Sequence, residues 1–318
     1  MARAPPPPEY IFRGHSEAVH SVCFDEAGEH LYTGDAGGHV LRWSLATMQS
    51  KRVLSADGEP AHAGHAVLSL ACAGGLLVTQ GREGLARVWS PSSLSMLHEV
   101  PAEGLSFCRV SVAATSSSDV LIAAASVAED RRVNVWRVSS DASNAPVHHA
   151  SVDAPDERCG AALSLALIGP DRLLTGHEGG ELLLWRLSSD ASALCARLRL
   201  HTEPVLSLSV HLPRHHVVCA SPEQRIARVT FANDALILVD NIDVASGGVA
   251  QVDVRADGKL AACAGWDGRL WIMGLGPPRP LAVVSAHREG LMCVACAPSG
   301  SLIAAGSKDA RVSLWKLF

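Results

Sequence analysis

Tyrosine and phenylalanine are scarce in this chain of 318 residues: there are two and five of them, and all aromatics together make up 4%. Seven of the aromatics are tryptophan, a skew that asks for a cause in the fold. No apolar run approaches the roughly 20 residues of a membrane helix. The opening residues, Met1 to Pro8, include four consecutive prolines and lack the apolar stretch of a secretory signal. No segment shows a sustained 3.6-residue periodicity with caps, which argues against substantial helix. The formal net charge of −5 gives no global attraction to nucleic acid or anionic membrane. The nine cysteines are scattered and odd in number. Without a secretory signal, they read as reduced thiols of a cytosolic or nuclear protein. Neither a Gly-x-Ser-x-Gly elbow nor a Gly-rich phosphate loop opening a helix is found.

What the chain does have is 48% hydrophobic residues and an internal repeat. Trp136-Arg137-Val138-Ser139-Ser140-Asp141-Ala142-Ser143 is nearly copied at Trp185-Arg186-Leu187-Ser188-Ser189-Asp190-Ala191-Ser192. Strands of the same kind end at Trp43, Trp89 and Trp315, and degenerate ones place Thr230 and Met273 at the Trp position. Successive positions lie 46, 47, 49, 45, 43 and 42 residues apart, so seven units of about 45 residues are predicted, the period of a four-stranded propeller blade. Each unit starts with a strand of apolar and small residues, such as Val19-His20-Ser21-Val22 or Val67-Leu68-Ser69-Leu70. A second strand follows, such as Leu31-Tyr32-Thr33-Gly34, and then a tight polar turn such as Asp267-Gly268 or Asp309-Ala310. The third strand ends at the Trp position, and a fourth, outer strand leads onward.

The last unit ends at Trp315-Lys316-Leu317-Phe318 without an outer strand, and Tyr10-Ile11-Phe12-Arg13 is a spare one. Pairing the two would close the ring and cover an open sheet edge. Residues 1–8 are therefore read as a Pro-rich N-terminal extension, and residues 9–318 as an all-β, seven-bladed propeller closed by the N-terminal strand.

Gly14-His15, the Trp-ended third strands and the turn aspartates Asp267 and Asp309 resemble WD40 repeats. More narrowly, four stretches are similar to the family of ASTRA-associated protein 1, whose animal members are called guanine nucleotide-binding protein subunit beta-like protein 1. They are Tyr10 to His15, Tyr32-Thr33-Gly34-Asp35-Ala36-Gly37 with Leu41 to Thr47, Gly265-Trp266-Asp267-Gly268-Arg269, and Ala304 to Asp309. The weakest stretch, residues 139–160, reads as a Ser/Ala/Asp-rich loop between blades.

The resemblance implies a nuclear, and also cytoplasmic, adaptor. That family associates with the co-chaperone assembly that matures phosphatidylinositol-3-kinase-related kinases, and in fungi with the ASTRA chromatin complex. The expected partners are thus proteins, with no direct contact to nucleic acid or membrane, and the chain is expected to act as a single propeller within a larger complex. No cofactor or metal is expected. Pairing with a G-protein γ subunit is not expected either, because its coiled coil needs several heptads and only eight residues, half of them proline, precede Glu9.

His287, Ser307, Asp309 and Trp315 include the side chains of a hydrolase triad. The WD40 network of His, Ser/Thr, Asp and Trp within one blade fits them better. Asp309 lies six residues before Trp315, as Asp267 does before Met273 and Asp130 before Trp136, and a triad has no reason to recur by blade. His15, Trp43, Trp89, Trp136 and Trp185 are read as structural in the same way. Cys293-Val294-Ala295-Cys296 could be a redox pair or half a zinc site. Cys293, however, takes the place of Ser21, Ser69, Ser164 and Ser207, and residues three apart on a strand face opposite ways. His211, His215 and His216, like His148 and His149, read as solvated histidines.

Arg82, Trp266 and Lys308 each fall in the turn between second and third strands, seven residues before the Trp position. Trp and Arg are favoured binding anchors, so these three are the candidate partner contacts. The other reading, that Trp266 stacks on a neighbouring blade while the cations are merely solvated, stays open. The functional expectation is a non-enzymatic scaffold. The alternative is a reader of chromatin or histone tails, which would want an acidic or aromatic patch around the channel, such as Asp35, Glu178 and Asp267 would make if they converged there.

Overall fold

The computed structural model describes residues 6–54, 57–102, 107–116, 119–126 and 131–316. Seven four-stranded antiparallel sheets radiate around a central axis. Among the described residues the single helical element is a 3₁₀ turn, Leu212–Arg214. The innermost strands are Val19–Phe24, Val67–Ala73, Ser111–Ala114, Ala162–Leu167, Ser207–His211, Val249–Val254 and Leu291–Cys296. Six blades take their strands in chain order. The seventh takes Tyr10–Arg13 as its outer strand, with Tyr10 opposite Leu314 and Arg13 opposite Arg311.

The core is not at the axis but between blades. Seven apolar clusters occupy the seven blade–blade interfaces, and each contains one residue from the end of a third strand. Trp43, Trp89, Trp185 and Trp315 are buried there, Trp136 packs in partly, and Met273 fills the same place between blades five and six. A flat, large side chain that fills a gap between two twisted sheets accounts for the Trp-rich composition.

Two expectations are corrected. In blade five the residue at the Trp position is Val229, not Thr230. The outer pairing of blades two, three, four and six shifts register at Trp89, Trp136, Trp185 and Met273, and in blade five it shifts at Val229. Val229 is buried in the interface while Thr230 is half-buried outside it. One residue of slip sends a side chain to the opposite face, and the apolar one takes the core. Residues 139–160 are not simply a loop, because Val147–Asp153 is the outer strand of blade three. Its His148-His149 pair and exposed Val147 hid the strand pattern. Asp130, Leu317 and Phe318 lie outside the described residues.

Candidate functional site

The turn after each second strand is fixed by one recurrent hydrogen bond. Ala36, Arg82, Glu178, Trp266 and Lys308 donate their backbone N–H to Ala18, Ala66, Ala161, Gly248 and Gly290, the carbonyls just before the innermost strand. Arg82, Trp266 and Lys308 thus hold equivalent rim positions beside the channel mouth, and all three are exposed. Among the described residues neither cation has an ion-pair partner. The indole of Trp266 lies over Gly248, whose φ is +149°, and a Cβ there would come within 2.5 Å of the ring. Trp266 nevertheless stays 47% exposed, so it packs with one face and presents the other.

One residue into the innermost strand, blades one, two, four, six and seven carry a β-bulge, at His20, Leu68, Leu163, Ala250 and Met292. A bulge leaves its residue outside the ladder and re-aims the side chain. His20, Leu68, Ala250 and Met292 line a cavity of about 560 Å³ at the mouth, together with Leu206, Pro222, Gly290, Leu291, Trp266, Lys308, Phe107 and Arg109. Phe107 is 64% exposed. Arg82 does not line it.

Arg109 forms the floor. Continuing the register of Ser111 with Ala123 inward by two places puts Arg109 where the other blades have Ser21, Ser69, Ser164, Ser207, Gln251 and Cys293. Its side chain crosses the channel. It donates to the Gln251 side-chain oxygen of blade six, to the His20 carbonyl at 3.1 Å and to the Met292 carbonyl at 2.9 Å. Those two carbonyls belong to bulged residues, so the guanidinium satisfies groups the ladder leaves over. Below it a smaller space of about 120 Å³ continues between the inner strands.

Among the described residues, all acceptors that meet Arg109 are neutral and no carboxylate lines either space. Burial presses the Arg109 pKa down, but a guanidinium stays charged in a protein. His20 is also held below its ordinary value, first by burial and then by the charges of Arg109, Arg82 and Lys308, against a smaller opposing effect of Asp35. The mouth is therefore apolar and aromatic in its walls and cationic in its polar groups, within a chain of negative net charge.

Behind the rim, hydrogen-bond relays lock the blades. In blade one the Trp43 indole N–H donates to Thr33 at 2.9 Å, the Thr33 hydroxyl meets His15 Nε2 at 2.6 Å, and His15 Nδ1 meets Asp35 at 2.7 Å. A threonine hydroxyl can accept from the indole and donate to Nε2, which leaves the proton on Nδ1 facing the carboxylate. Blade two repeats the relay with Trp89, Thr79, His62 and Glu83. Burial, the largest single effect, opposes ionisation of Asp35 and Glu83, yet the histidine hydrogen bonds, together with the attraction of neighbouring charges and backbone N–H donors, outweigh it and hold both below the usual carboxylate range. Blade four uses Trp185, Thr175 and His177, with the Gly160 carbonyl replacing the acid.

In blade seven His287 bonds Asp309 at 3.0 Å, but the hydroxyl of the relay is Ser313, not Ser307. Ser313 accepts from the Trp315 indole at 2.9 Å, while the Ser307 hydroxyl donates to the Glu289 and Gly290 carbonyls. Blade three has no such relay among the described residues: Ala124 stands where Thr33 stands in blade one, and the buried indole nitrogen of Trp136 has no partner among them. In blade six Asp267 accepts from the Arg269 N–H and the Trp271 indole and meets no histidine.

The Asp309–His287–Ser313 array has the order of a hydrolase triad, but Ser313 is fully buried and its lone pair serves an indole, so no substrate reaches it. Cys293 and Cys296 turn apart, toward the Val19 carbonyl and the Asp253 carbonyl. His211 caps the Ala256 carbonyl, and His148 and His149 lie on an outer strand. Asp35 is buried against His15, and neither Glu178 nor Asp267 lines the mouth, so these three carboxylates do not converge there.

Arg109 was not singled out from the sequence. The available signal was the break in the Val-x-Ser pattern, where unit three reads Phe107-Cys108-Arg109.

These blades define the chain as a seven-bladed β-propeller, two stretches of which match WD40 repeats. The family model described as "WD domain, G-beta repeat" matches residues 6–44 and 278–316, the two stretches that meet at the closure. Over nearly its whole length the chain is similar to guanine nucleotide-binding protein subunit beta-like protein 1 of Mus musculus, at 29% identity over 99% of this chain and 97% of the relative. It is likewise similar to ASTRA-associated protein 1 of Schizosaccharomyces japonicus, at 27% identity over 98% and 99% of the two chains. For ASTRA-associated protein 1 of Schizosaccharomyces pombe the identity is 26% over the same shares.

Proposed function

We propose that this chain is a non-enzymatic scaffold that holds protein partners at the channel mouth. The observation that carries this reading is the mouth itself, a cavity of about 560 Å³ with aromatic and apolar walls and, at its edge, Lys308 without an ion-pair partner among the described residues. The buried relays behind it offer no group to a substrate. Exposed Trp and Arg at a rim are the residues that dominate binding energy in protein interfaces.

The similarity to ASTRA-associated protein 1 supports a narrower reading. The chain works with the co-chaperone assembly that matures phosphatidylinositol-3-kinase-related kinases and with chromatin remodelling, in the nucleus and partly in the cytoplasm. Affinity purification of the tagged full chain, with identification of co-eluting proteins, tests this. Subunits of such assemblies are expected in stoichiometric amounts. Recovery of histones alone would replace it with the tail-reader reading, and recovery of no stoichiometric partner would end the scaffold reading. Microscopy of the tagged chain tests the compartment.

A further inference from the structure

The charge at the floor of the mouth is unbalanced. Three of the five N–H groups of Arg109 go to neutral oxygens, and among the described residues no carboxylate lines the space above or below it. Two donors remain, and among the described residues Lys308 at the wall has no ion-pair partner. A guanidinium largely removed from water and left without an anion is a costly arrangement unless something brings the anion. The walls ask for something else. Leu68, Leu206 and Met292 are apolar, and Phe107 and Trp266 expose large aromatic surface at the edge. A free phosphate or carboxylate would leave that surface in water. The volume is within the roughly 300–1,000 Å³ of pockets that enclose a small group.

We propose that the mouth receives a segment of a partner protein that presents an Asp or Glu carboxylate beside a large apolar side chain. The carboxylate faces Arg109 and Lys308, and the apolar side chain lies among Leu68, Leu206, Phe107 and Trp266. This rests on the scaffold reading and names the chemistry of the partner. Burial is the first cause of the depressed His20 pKa, and the charges of Arg109, Arg82 and Lys308 that add to it also attract an anion. A basic tail would meet Arg109, Lys308 and Arg82 instead, and like charges work against it.

The test is selection of random heptapeptides displayed on phage against the full chain, followed by anisotropy measurements on a synthetic copy of the peptide that wins. Sequences with Asp or Glu next to a large apolar residue are expected to be enriched. Replacing the acid by its amide, or Lys308→Glu, is expected to weaken binding about tenfold or more, the size of one charge-assisted hydrogen bond. Trp266→Ala is expected to weaken it about thirtyfold, as a hot-spot anchor does. Arg109→Met should abolish binding. Because Arg109 also ties blades one, six and seven, the two surface variants decide the matter if that variant does not fold. Enrichment of Lys- or Arg-rich peptides, no enrichment at all, or binding indifferent to Lys308→Glu and Trp266→Ala overturns the proposal. If the tagged chain still captures its stoichiometric partners with both substitutions in place, the scaffold reading stands and this one falls.

Discussion

Trp315 donates its indole N–H to Ser313, two residues back on its own strand, whereas Trp43, Trp89 and Trp185 each reach a threonine ten residues back on the neighbouring strand. The relay needs a hydroxyl at a point in space, and blade seven supplies it from a different strand. Ser313→Ala would leave a buried indole N–H and His287 Nε2 without partners, a loss of about 1–3 kcal/mol. Ser307→Ala removes only turn contacts and should cost about 0.5–1.5 kcal/mol. Urea unfolding of the two variants checks the order, and the reverse order would return the relay hydroxyl to Ser307.

Asp253 predicts a pH dependence of unusual sign. It accepts from the Ser209 hydroxyl and the Cys296 N–H between blades five and seven, has no ion-pair partner among the described residues, and burial raises its pKa from 3.8 to about 6. A raised folded pKa means that this contribution is complete below the ordinary value and is lost as pH rises through about 6. The loss is on the order of 1–3 kcal/mol. Asp253→Asn keeps acceptor and donor capacity without the charge, so the stability gap between it and the parent should widen in the variant's favour from pH 4.5 to pH 7, about the range where Asp253 titrates. A gap that stays constant would mean that Asp253 is not held protonated.

The relays act in the opposite direction. Asp35, Glu83 and Asp309 are held below the usual carboxylate range despite burial, so their stabilisation is present above the ordinary carboxylate pKa and disappears as pH falls through the lower folded values. His62, His177 and His201 are lowered chiefly by burial, so the unfolded chain takes up their protons first, and stability falls from about pH 6.5 downward. Acid titration followed by circular dichroism should show cooperative unfolding. His177→Gln should flatten the upper part of that decline, and an unchanged profile would count against a neutral buried His177.

Ala310 has φ of +62°, where Gly38, Gly180 and Gly268 hold the matching turns of blades one, four and six. A left-handed conformation costs an L-residue roughly 1–2 kcal/mol, partly offset by the greater chain entropy of glycine. Ala310→Gly should therefore raise the unfolding midpoint slightly, and thermal melts decide it. A fall would show that the alanine methyl packs usefully.

Closure predicts a contrast between two truncations. Phe12 is 1% exposed, its ring centroid lies 4.9 Å from that of Trp43, and its strand pairs with Arg311–Lys316. Deleting residues 1–13 removes those ladder bonds and about 1.5–3 kcal/mol of apolar burial for Phe12 alone, and it opens a sheet edge to other chains. Deleting residues 1–8 keeps the strand and the Glu9 N–H bond to Leu314. Soluble yield and unfolding midpoint should collapse for the first and barely change for the second.

Blade number, strand order and closure were legible because each rests on local pattern: a Trp every 45 residues or so, Gly and Asp turns, and a spare strand at Tyr10–Arg13. The errors came where the pattern is degenerate. Val229 and Thr230 differ only in which face they meet, and that is set by a bulge, which leaves no mark in composition. Ser313 was missed because the relay hydroxyl came from another strand than in blades one and two. Arg109 was missed because its role is to reach across the channel, and a distance across a ring does not appear as a spacing along the chain.

The pairing of Tyr10 with Leu314 also sets an order in time. At roughly 5–20 residues per second, a growing chain makes the Tyr10–Arg13 strand about 15–60 s before the strand that will receive it. During that interval the Tyr10–Arg13 strand has no partner strand and the open flank of blade one lacks its blade-seven neighbour, while the other blades can pack one after another as they emerge. The newborn molecule is an arc waiting for its last segment, so its need for a protective escort is greatest late in synthesis and ends when the circle closes.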